Sequence, residues 1–317
     1  MERSNKSRAL AGGIGESMNK KQNYRKEENA QSIQWFPGHM TRTRRQIEKC
    51  LPLVDAVAEV IDARIPLSSR NPVLGSIIKG KPRVVLLNKC DMADPDKTSR
   101  WIQWFRGKGI PAVAVDCKSG RGLNGFIPAV QEVLKDKIEI WRSKGMVGRV
   151  IRVMIVGVPN VGKSSLINRL CKGGKADVAD RPGVTRQNRW FTIGKGFELL
   201  DTPGVLWPKF EDKLVGEKLA FTGAVKDDVV DTEHLASRLL EFLSEEYPKE
   251  LKARYKLDEI DLSEYQGYEL LEMIGKKRGM LVSGGEINTE RASIAVLDEF
   301  RGAVIGRITL ETPREAE

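Results

Sequence analysis

The sequence predicts an α/β protein in which a mostly parallel six-stranded sheet is followed by an all-helical C-terminal domain. From about residue 50, short apolar runs alternate with amphipathic stretches, as expected for a parallel α/β sheet. After about residue 210, nearly all of the periodic segments are amphipathic and of helical length. We therefore divide the 317 residues into a poorly ordered basic tail (1–30), an α/β domain (31–210) and a helical domain (211–317).

Six apolar runs have the length and composition of strands, at 55–62, 83–88, 112–116, 150–157, 189–193 and 196–200. Helical periodicity occurs at 97–108, 123–144, 163–172, 211–225, 231–246, 248–256, 262–276 and 288–301. The segment 64–82 has no clear prediction, because Pro66 and Pro72 break its early turns. A short strand is predicted at 303–310.

The net charge of +10 is concentrated in two parts of the chain. Residues 1–50 contain eleven Lys and Arg against five Asp and Glu, and residues 141–200 contain twelve against three. These stretches favour a nucleic-acid partner, whose phosphates release counterions when neutralised, although some of the charge could serve a nucleotide's own phosphates. The four cysteines lack metal-ligand spacing, which suits reduced thiols in a cytoplasmic protein. The apolar runs are too short or too charged to span a bilayer, so no membrane partner is expected.

Residues 157–165, GVPNVGKSS, match the phosphate-binding pattern G-x-x-x-x-G-K-[ST] between a predicted strand and a predicted helix. Its two glycines permit a tight turn whose backbone amides wrap the β-phosphate. Lys163 would place its charge against the β and γ oxygens, and the Ser164 hydroxyl would coordinate Mg²⁺. The predicted nucleotide contacts in this loop are Pro159, Asn160, Val161, Gly162, Lys163, Ser164 and Ser165.

A base-reading motif, NKCD at 88–91, ends the second predicted strand. Asp91 can accept hydrogen bonds from the N1–H and the 2-amino group of guanine, two donors that adenine lacks. Asn88 can either bond the O6/N7 edge of guanine or tie neighbouring loops together, and the stem of Lys89 covers the base plane. The loop that backs the guanine usually reads Ser-Ala-Lys, and the corresponding stretch VDCKSG assigns Cys117 and Lys118 to this role.

Two further segments provide the residues expected around the γ-phosphate. Asp201, in the DTPG motif after the last predicted strand, would hold Mg²⁺ through water, and the Gly204 amide can meet the γ-phosphate. Thr185, in RPGVTR between the phosphate-binding loop and DTPG, is the candidate for closing over Mg²⁺ and the γ-phosphate. Thr185 and Lys163 are two of the predicted catalytic residues.

The order of these motifs differs from that of Ras-like domains, in which the phosphate-binding loop comes first and NKxD comes near the end. Here NKCD and the base-backing loop precede the phosphate-binding loop, and DTPG comes last. The same sheet can form because motif position in space depends on strand order. The sequence therefore predicts a circularly permuted Ras-like GTPase domain, in which the switch after DTPG leads directly into the helical domain.

A catalytic glutamine is missing from the position that follows DTPG, where Val205 cannot bond water. One of the two histidines, His39, lies in QWFPGHM, a stretch with two aromatic residues and a Pro-Gly turn. A histidine in such a stretch is commonly a structural hydrogen-bonding group. The missing glutamine makes His39 a second candidate, as the residue that positions water.

Eight segments together resemble the ribosome biogenesis GTPase A family of circularly permuted GTPases: QWFPGHM, DARIP with SSRNP, NKCD, GVPNVGKSS, DRPGVT, LLDTPGVLWPKFED and the KKRG–SGG segment. The resemblance covers about residues 33–310. It implies a GTPase that assists late assembly of the large ribosomal subunit and is stimulated by that particle. It also implies that the helical domain contacts ribosomal RNA, that His39 activates or positions water, and that Asn160 helps to bind K⁺.

The leading hypothesis is thus a monomeric, GTP-hydrolysing assembly factor that uses Mg²⁺ and K⁺ and binds GTP or GDP and the large-subunit precursor with its rRNA. An alternative is a nucleotide-gated RNA-binding adaptor with incidental hydrolysis, which Val205 favours. A third, less favoured option is a GTPase acting on tRNA or signalling partners. Residues 262–317 contain seven Lys and Arg against ten acids, so RNA contact there would need a local face such as Lys276, Lys277 and Arg278.

Overall fold

A computed structural model describes residues 37–78, 80–146, 148–171, 189–194, 196–202, 204 and 212–313. The predicted tail (1–30), Thr185 and Val205 lie outside these ranges. His39 lies within the first helix, where only the backbone of residues 37–43 is described.

Six strands form one sheet: β1 (Ala56–Asp62), β2 (Arg83–Asn88), β3 (Ala112–Ala114), β4 (Ile151–Val156), β5 (Arg189–Ile193) and β6 (Phe197–Asp201). Their order across the sheet is β3-β2-β1-β4-β6-β5. Only the β5–β6 pair is antiparallel, and the other four pairs are parallel. The mostly parallel six-stranded sheet is thereby confirmed, with β3 two residues shorter than its predicted run.

Helices alternate with the strands in the first two thirds of the chain: α1 (Pro37–Cys50), α2 (Pro72–Ile77), α3 (Pro95–Gly107), α4 (Phe126–Val133), α5 (Lys135–Ser143) and α6 (Lys163–Cys171). In the segment 64–82, for which the sequence made no clear prediction, the structure has the short helix α2, which begins at Pro72. Proline is tolerated at the first position of a helix, because a backbone N–H there would have no partner within the helix. The single helix predicted at 123–144 is wrong in detail, because α4 and α5 are separate helices. α4 has buried side chains, whereas α5 has none and packs only the partly buried Ile138 and Trp141 against the same cluster.

Both faces of the sheet are buried, as a central parallel sheet requires. Every residue of β1 is buried, and alternate positions point to opposite faces. Ala58 and Val60 join a cluster on one face, whereas Ile61 joins Trp101 and Phe105 of α3 on the other. The carboxyl ends of β1, β2, β4 and β6 therefore lie together at one edge, which is where ligands bind in such sheets.

The remaining helices are α7 (Lys213–Phe221), α8 (Thr232–Glu246), α9 (Pro248–Tyr255), α10 (Gly267–Lys277) and α11 (Thr289–Arg301). Their buried apolar side chains belong to the same cluster as one face of the sheet. The predicted division at residue 211 stays a prediction. No helix among the described residues is long and apolar enough to cross a membrane.

The strand predicted at 303–310 is wrong. The backbone amides of Ile308 and Leu310 donate to the carbonyls of Met92 (3.1 Å) and Arg64 (2.7 Å), and these acceptors lie in loops that follow β2 and β1. The segment is extended because it docks on two strand-end loops, and it adds no strand to the sheet.

The end of this segment is fixed by a buried carboxylate, Glu311. Its oxygens accept hydrogen bonds from the amides of Leu67 (2.6 Å) and Ser68 (3.1 Å) and from the Ser68 hydroxyl, and Lys218 Nζ lies 3.5 Å away. Burial raises the pKa of Glu311, while the charge of Lys218 and the hydrogen bonds oppose that shift.

Removing this carboxylate should destabilise the protein strongly. We expect Glu311→Ala to lower the free energy of unfolding by about 2–4 kcal/mol, because it leaves buried donors unpaired. Glu246→Ala is the matched control, since Glu246 pairs with Lys97 at 3.3 Å in an exposed position. That control should change the unfolding free energy by about 0–1 kcal/mol. Equal effects of the two substitutions in urea denaturation would contradict the anchoring role.

Candidate functional site

The phosphate-binding loop joins the end of β4 to the start of α6. A Cβ on Gly157 would lie 2.3 Å from the Val60 carbonyl oxygen, and one on Gly162 would lie 2.2 Å from Asn88 Nδ2. Gly162 also has a φ of 101°, which side chains rarely permit. Only glycine fits these two positions, so the loop is pressed against the ends of β1 and β2.

Lys163, the first residue of α6, is buried beneath this loop. Its Nζ donates to the carbonyl oxygens of Gly157 (3.1 Å) and Val158 (2.8 Å). Burial lowers the pKa of Lys163 to about 8, while the negative charge of Asp201 opposes the shift. A phosphate group beside this amine would favour its charged form, because opposite charges raise the pKa of a lysine.

Asn88 connects the phosphate-binding loop to the base-backing loop. Its Nδ2 donates to the Val161 carbonyl at 2.7 Å, and its Oδ1 accepts from the Cys117 amide at 3.0 Å. The side chain is buried, so both bonds are shielded from water. Of the two roles that the sequence allowed for Asn88, these contacts support the tying of neighbouring loops.

Asp91 lies three residues after Asn88, in the loop that follows β2, and has a buried carboxylate oxygen. Asp91 Oδ1 has no hydrogen-bond partner among the described residues. A buried acceptor without a donor is costly in a folded protein, so an oxygen of this kind points to a ligand donor. The N1–H and 2-amino group of guanine are donors of the required type, and the position therefore fits a guanine base.

Lys89, between these two residues, adopts a left-handed backbone conformation with a φ of 61°. Its Nζ forms an ion pair with Asp62 Oδ2 at 3.0 Å, while Arg64 bonds both carboxylate oxygens of Asp62. Burial alone would raise the pKa of Asp62, but the charges of Arg64 and Lys89 and the hydrogen bonds from Arg64 hold it well below its usual range. Asp62 thus fixes the far end of the side chain that was predicted to cover the base.

The base-backing loop contributes through its backbone. The Cys117 amide bonds Asn88, whereas its thiol is buried, and burial raises the thiol pKa to about 12. The Lys118 amide donates to Asp116 Oδ1 at 2.8 Å, which fixes the turn that follows. An unusual side chain at Cys117 is therefore compatible with the loop, because the contact to Asn88 needs only a peptide N–H.

The DTPG segment lies beside the phosphate-binding loop. Asp201 ends β6 opposite Ile155 of β4, and the Thr202 hydroxyl donates to the Ile155 carbonyl at 2.6 Å. A Cβ on Gly204 would lie 3.0 Å from Lys163 Nζ and 2.9 Å from the Pro159 backbone. Burial raises the pKa of Asp201, with the charge of Lys163 opposing it. These contacts place Gly204 where a group bound by Lys163 would meet it.

The oxygen donors around this loop have the chemistry that Mg²⁺ prefers. Ser164 and Ser165 are exposed at the start of α6, and the Asp201 carboxylate lies at the end of the neighbouring strand. Among the described residues, no group of three or more His, Cys, Asp and Glu side chains could hold a metal alone. The Ser164 hydroxyl and the Asp201 carboxylate instead suit a magnesium ion that takes most of its ligands from phosphate and water.

Asn160 brings the helical part of the chain to the phosphate-binding loop. It has a φ of 57°, and its Nδ2 donates to the Gly223 carbonyl, just after α7, at 2.8 Å. This contact could not be predicted from the sequence, because the two residues are 63 positions apart. The side-chain oxygen of Asn160, Oδ1, is the atom that could coordinate a cation.

The predicted site residues thus fall into three groups. Those that the structure brings to one edge of the sheet are Asn88, Lys89, Asp91, Cys117, Lys118, Pro159, Asn160, Val161, Gly162, Lys163, Ser164, Ser165, Asp201 and Gly204. His39 is described only as part of α1, and Thr185 lies outside the described residues. The roles assigned to the residues of all three groups stay predictions.

Comparisons with known proteins agree with this geometry. A family model described as "50S ribosome-binding GTPase" matches residues 152–263. The Ribosome biogenesis GTPase A of Bacillus licheniformis is 50% identical over 283 residues, which cover 89% of this chain and 99% of the relative. Mitochondrial ribosome-associated GTPase 1 of Mus musculus is 34% identical over 295 residues, 87% of this chain and 89% of the relative.

Two solved structures also resemble the chain. GDP-bound TM YlqF has a TM-score of 0.61 at 29% identity and covers 85% of this chain and 100% of its own. GNP-bound YlqF from T. maritima has a TM-score of 0.59 at 28% identity and covers 86% and 98%. The order of the motifs on the strands and these similarities give the α/β part the fold of a circularly permuted GTPase domain.

The role of Asp91 can be tested by exchanging its carboxylate for an amide. Asp91→Asn should weaken GDP binding by about 100-fold, the effect of losing a charge-assisted pair of hydrogen bonds. The same variant should bind xanthosine diphosphate more tightly than native protein does, because xanthine carries an oxygen where guanine carries an amine. Asp96→Asn, on the first turn of α3, is the matched control. If calorimetry shows no exchange of base preference, Asp91 does not read the base.

Proposed function

The chain belongs to the ribosome biogenesis GTPase A family, and we propose that it is a GTP-hydrolysing assembly factor for the large ribosomal subunit. One observation supports the chemistry most directly: Asn88 ties the phosphate-binding loop of Lys163 to the motif of Asp91, whose carboxylate oxygen lacks a partner among the described residues. The names of the relatives point to the ribosome as the place of action.

In this proposal, GTP lies along the edge of the sheet with guanine at Asp91 and phosphates at Lys163. The positive charge of Lys163 stabilises the negative charge that develops on the β and γ oxygens during hydrolysis, and the Gly204 amide orients the γ-phosphate. Ser164, Thr185 and Asp201 would hold Mg²⁺, and Asn160 would contribute to a K⁺ site. When bound, these cations neutralise phosphate charge.

His39 is the proposed residue that organises the attacking water, since Val205 cannot do so. It comes from α1, before the first strand, and not from the switch segment after DTPG. Its placement against the nucleotide would then depend on docking to the ribosomal particle. We therefore propose slow turnover of the isolated protein and faster turnover on the particle.

RNA contact by the helical region needs a local surface. At the end of α10, Lys276 and Lys277 are exposed, but Arg278 pairs with Glu299 and lies over the Tyr255 ring at 5.2 Å. Arg278 thus contributes to packing between helices, and Lys277 Nζ donates to the Lys256 carbonyl, which makes Lys276 the better candidate for phosphate contact. We propose a cytoplasmic monomer that binds the large-subunit precursor through its rRNA in a GTP-dependent way.

A second candidate, a nucleotide-gated RNA adaptor with incidental hydrolysis, is favoured by Val205 alone. The two functions differ in what the particle does to turnover. An assembly GTPase is stimulated by the particle, whereas an adaptor binds the particle under GTP without any change in the hydrolysis rate.

Single-turnover GTP hydrolysis, measured with and without large-subunit precursor particles, tests the proposal. The native protein should hydrolyse GTP at least about 100-fold faster with particles, a typical contribution of positioned acid–base groups. His39→Ala should lose this stimulation while its GDP affinity stays within about twofold of native, since no base or phosphate contact is assigned to it.

The matched control is His234→Ala, which alters the only other histidine of the chain. It lies on α8, distant in sequence from every site residue, and should keep native stimulation. Stimulation that survives His39→Ala would remove that residue from the mechanism. Particle binding without any stimulation of the native protein would favour the adaptor.

A further inference from the structure

The segment that replaces the predicted last strand lies across the base-reading loop. We call residues 306–311 the C-terminal strap and residues 89–94 the base-reading loop. The Ile308 amide donates to the Met92 carbonyl at 3.1 Å, and the Asp94 amide donates to the Thr309 hydroxyl at 3.1 Å. The strap therefore bonds the loop at two backbone positions beyond Asp91.

Arg307 adds two bonds that lie on both sides of Asp91. Its Nε donates to the Ala93 carbonyl at 2.9 Å, and one terminal guanidinium nitrogen donates to the Cys90 carbonyl at 2.9 Å. A guanidinium presents its donors in a rigid planar fork, so these two bonds fix the separation and the direction of both carbonyls. The peptide that carries the Asp91 side chain lies between them.

Few other contacts fix this part of the loop. The Cys90 amide donates to the Val115 carbonyl at 3.2 Å, and the Lys89 side chain pairs with Asp62. Both contacts lie before Asp91. After Asp91, the described side-chain and backbone bonds from outside the loop and α3 come from the strap and from the Tyr247 hydroxyl near Asp94.

The strap is itself held firmly, so it can act as a brace. The Leu310 amide donates to the Arg64 carbonyl at 2.7 Å, and the Thr309 carbonyl accepts from the Tyr247 hydroxyl at 2.9 Å. Ile308 and Leu310 are buried, and Glu311 closes the segment against Leu67 and Ser68. Arg307 itself is exposed and its two bonds to the loop are partly buried, but the backbone that carries it continues directly into these buried residues.

We propose that Arg307 is a positioning residue for guanine recognition, acting through the carbonyls of Cys90 and Ala93 to orient the Asp91 carboxylate. This inference rests on the proposed role of Asp91 in reading the base. Selectivity for guanine then depends on an arginine more than 200 positions downstream of the motif that contacts the base.

The test compares the affinities of GDP and inosine diphosphate, measured by calorimetry on the full chain. Inosine lacks the 2-amino group, so the ratio of the two affinities reports how well Asp91 meets that group. Arg307→Ala should weaken GDP binding by about tenfold and inosine diphosphate binding less, as expected when one hydrogen bond to a charged group is lost. The affinity ratio should therefore fall at least about threefold.

Two further variants interpret this result. Arg307→Lys keeps the charge but cannot bond both carbonyls with a rigid fork. Its ratio of GDP to inosine diphosphate affinity should therefore lie between those of the native protein and Arg307→Ala. If Arg307→Ala does not fold, Arg307→Lys provides the test. Arg291→Ala, which removes an exposed arginine of α11, should keep the native ratio.

A merely structural role for Arg307 would weaken both ligands equally, and an unchanged ratio in both Arg307 variants would overturn the inference. The Asp91→Asn variant, measured in parallel, separates the two claims. If it exchanges guanine for xanthine while the Arg307 variants keep the native ratio, the strap is not involved but Asp91 still reads the base. If Asp91→Asn changes neither the preference for guanine over xanthine nor the ratio of GDP to inosine diphosphate affinity, the base-reading assignment itself is wrong.

Discussion

The buried carboxamide of Asn88 is the interaction on which the nucleotide site depends. It bonds the phosphate-binding loop at Val161 and the base-backing loop at Cys117, across 73 and 29 positions of sequence. The Asn88 side chain occupies the space that a Cβ at position 162 would fill, so Gly162 is what allows the two motifs to pack together. A chain with its motifs in permuted order can therefore assemble the same site, because this contact depends on strand neighbours and not on chain order.

The second feature of the site is its contact with residues beyond 212. Asn160 reaches the Gly223 carbonyl, and the strap bonds the base-reading loop. Arg64, which fixes Asp62, lies over Phe300 at 5.5 Å and bonds the Arg301 carbonyl. The phosphate side and the base side of the nucleotide site thus each touch the helical region. The sequence predicted only that the segment after DTPG leads into the helical region, whereas the structure also connects that region to the phosphate-binding loop and to the base-reading loop.

Most of the fold could be predicted from the sequence because its signals are local. The apolar runs of the central strands, the glycines of the phosphate-binding loop and the Asp91 motif each lie within a few residues of chain. The wrong strand at 303–310 followed the same logic, since alternation of apolar residues identifies an extended, half-buried segment but not its partner. The contacts of Arg307 and Asn160 could not be predicted, because they join segments that are distant in sequence.

The base-backing loop illustrates a different limit. Its Cys117 departs from the usual sequence, yet the structure uses the peptide N–H at that position, which every residue except proline provides. Asp62 and Arg64 were visible only as part of a family-like motif, and their ion-pair network with Lys89 needed the register of β1 against β2.

A crystal structure of the protein with GDP and Mg²⁺ tests the central claim most directly. The account predicts that one nucleotide meets both motifs, with guanine N1 and its 2-amino group at the Asp91 carboxylate and the β-phosphate at Lys163 Nζ. Both Asn88 bonds should persist in that complex. A structure in which the phosphates contact Lys163 while the base lies away from Asp91 would contradict it.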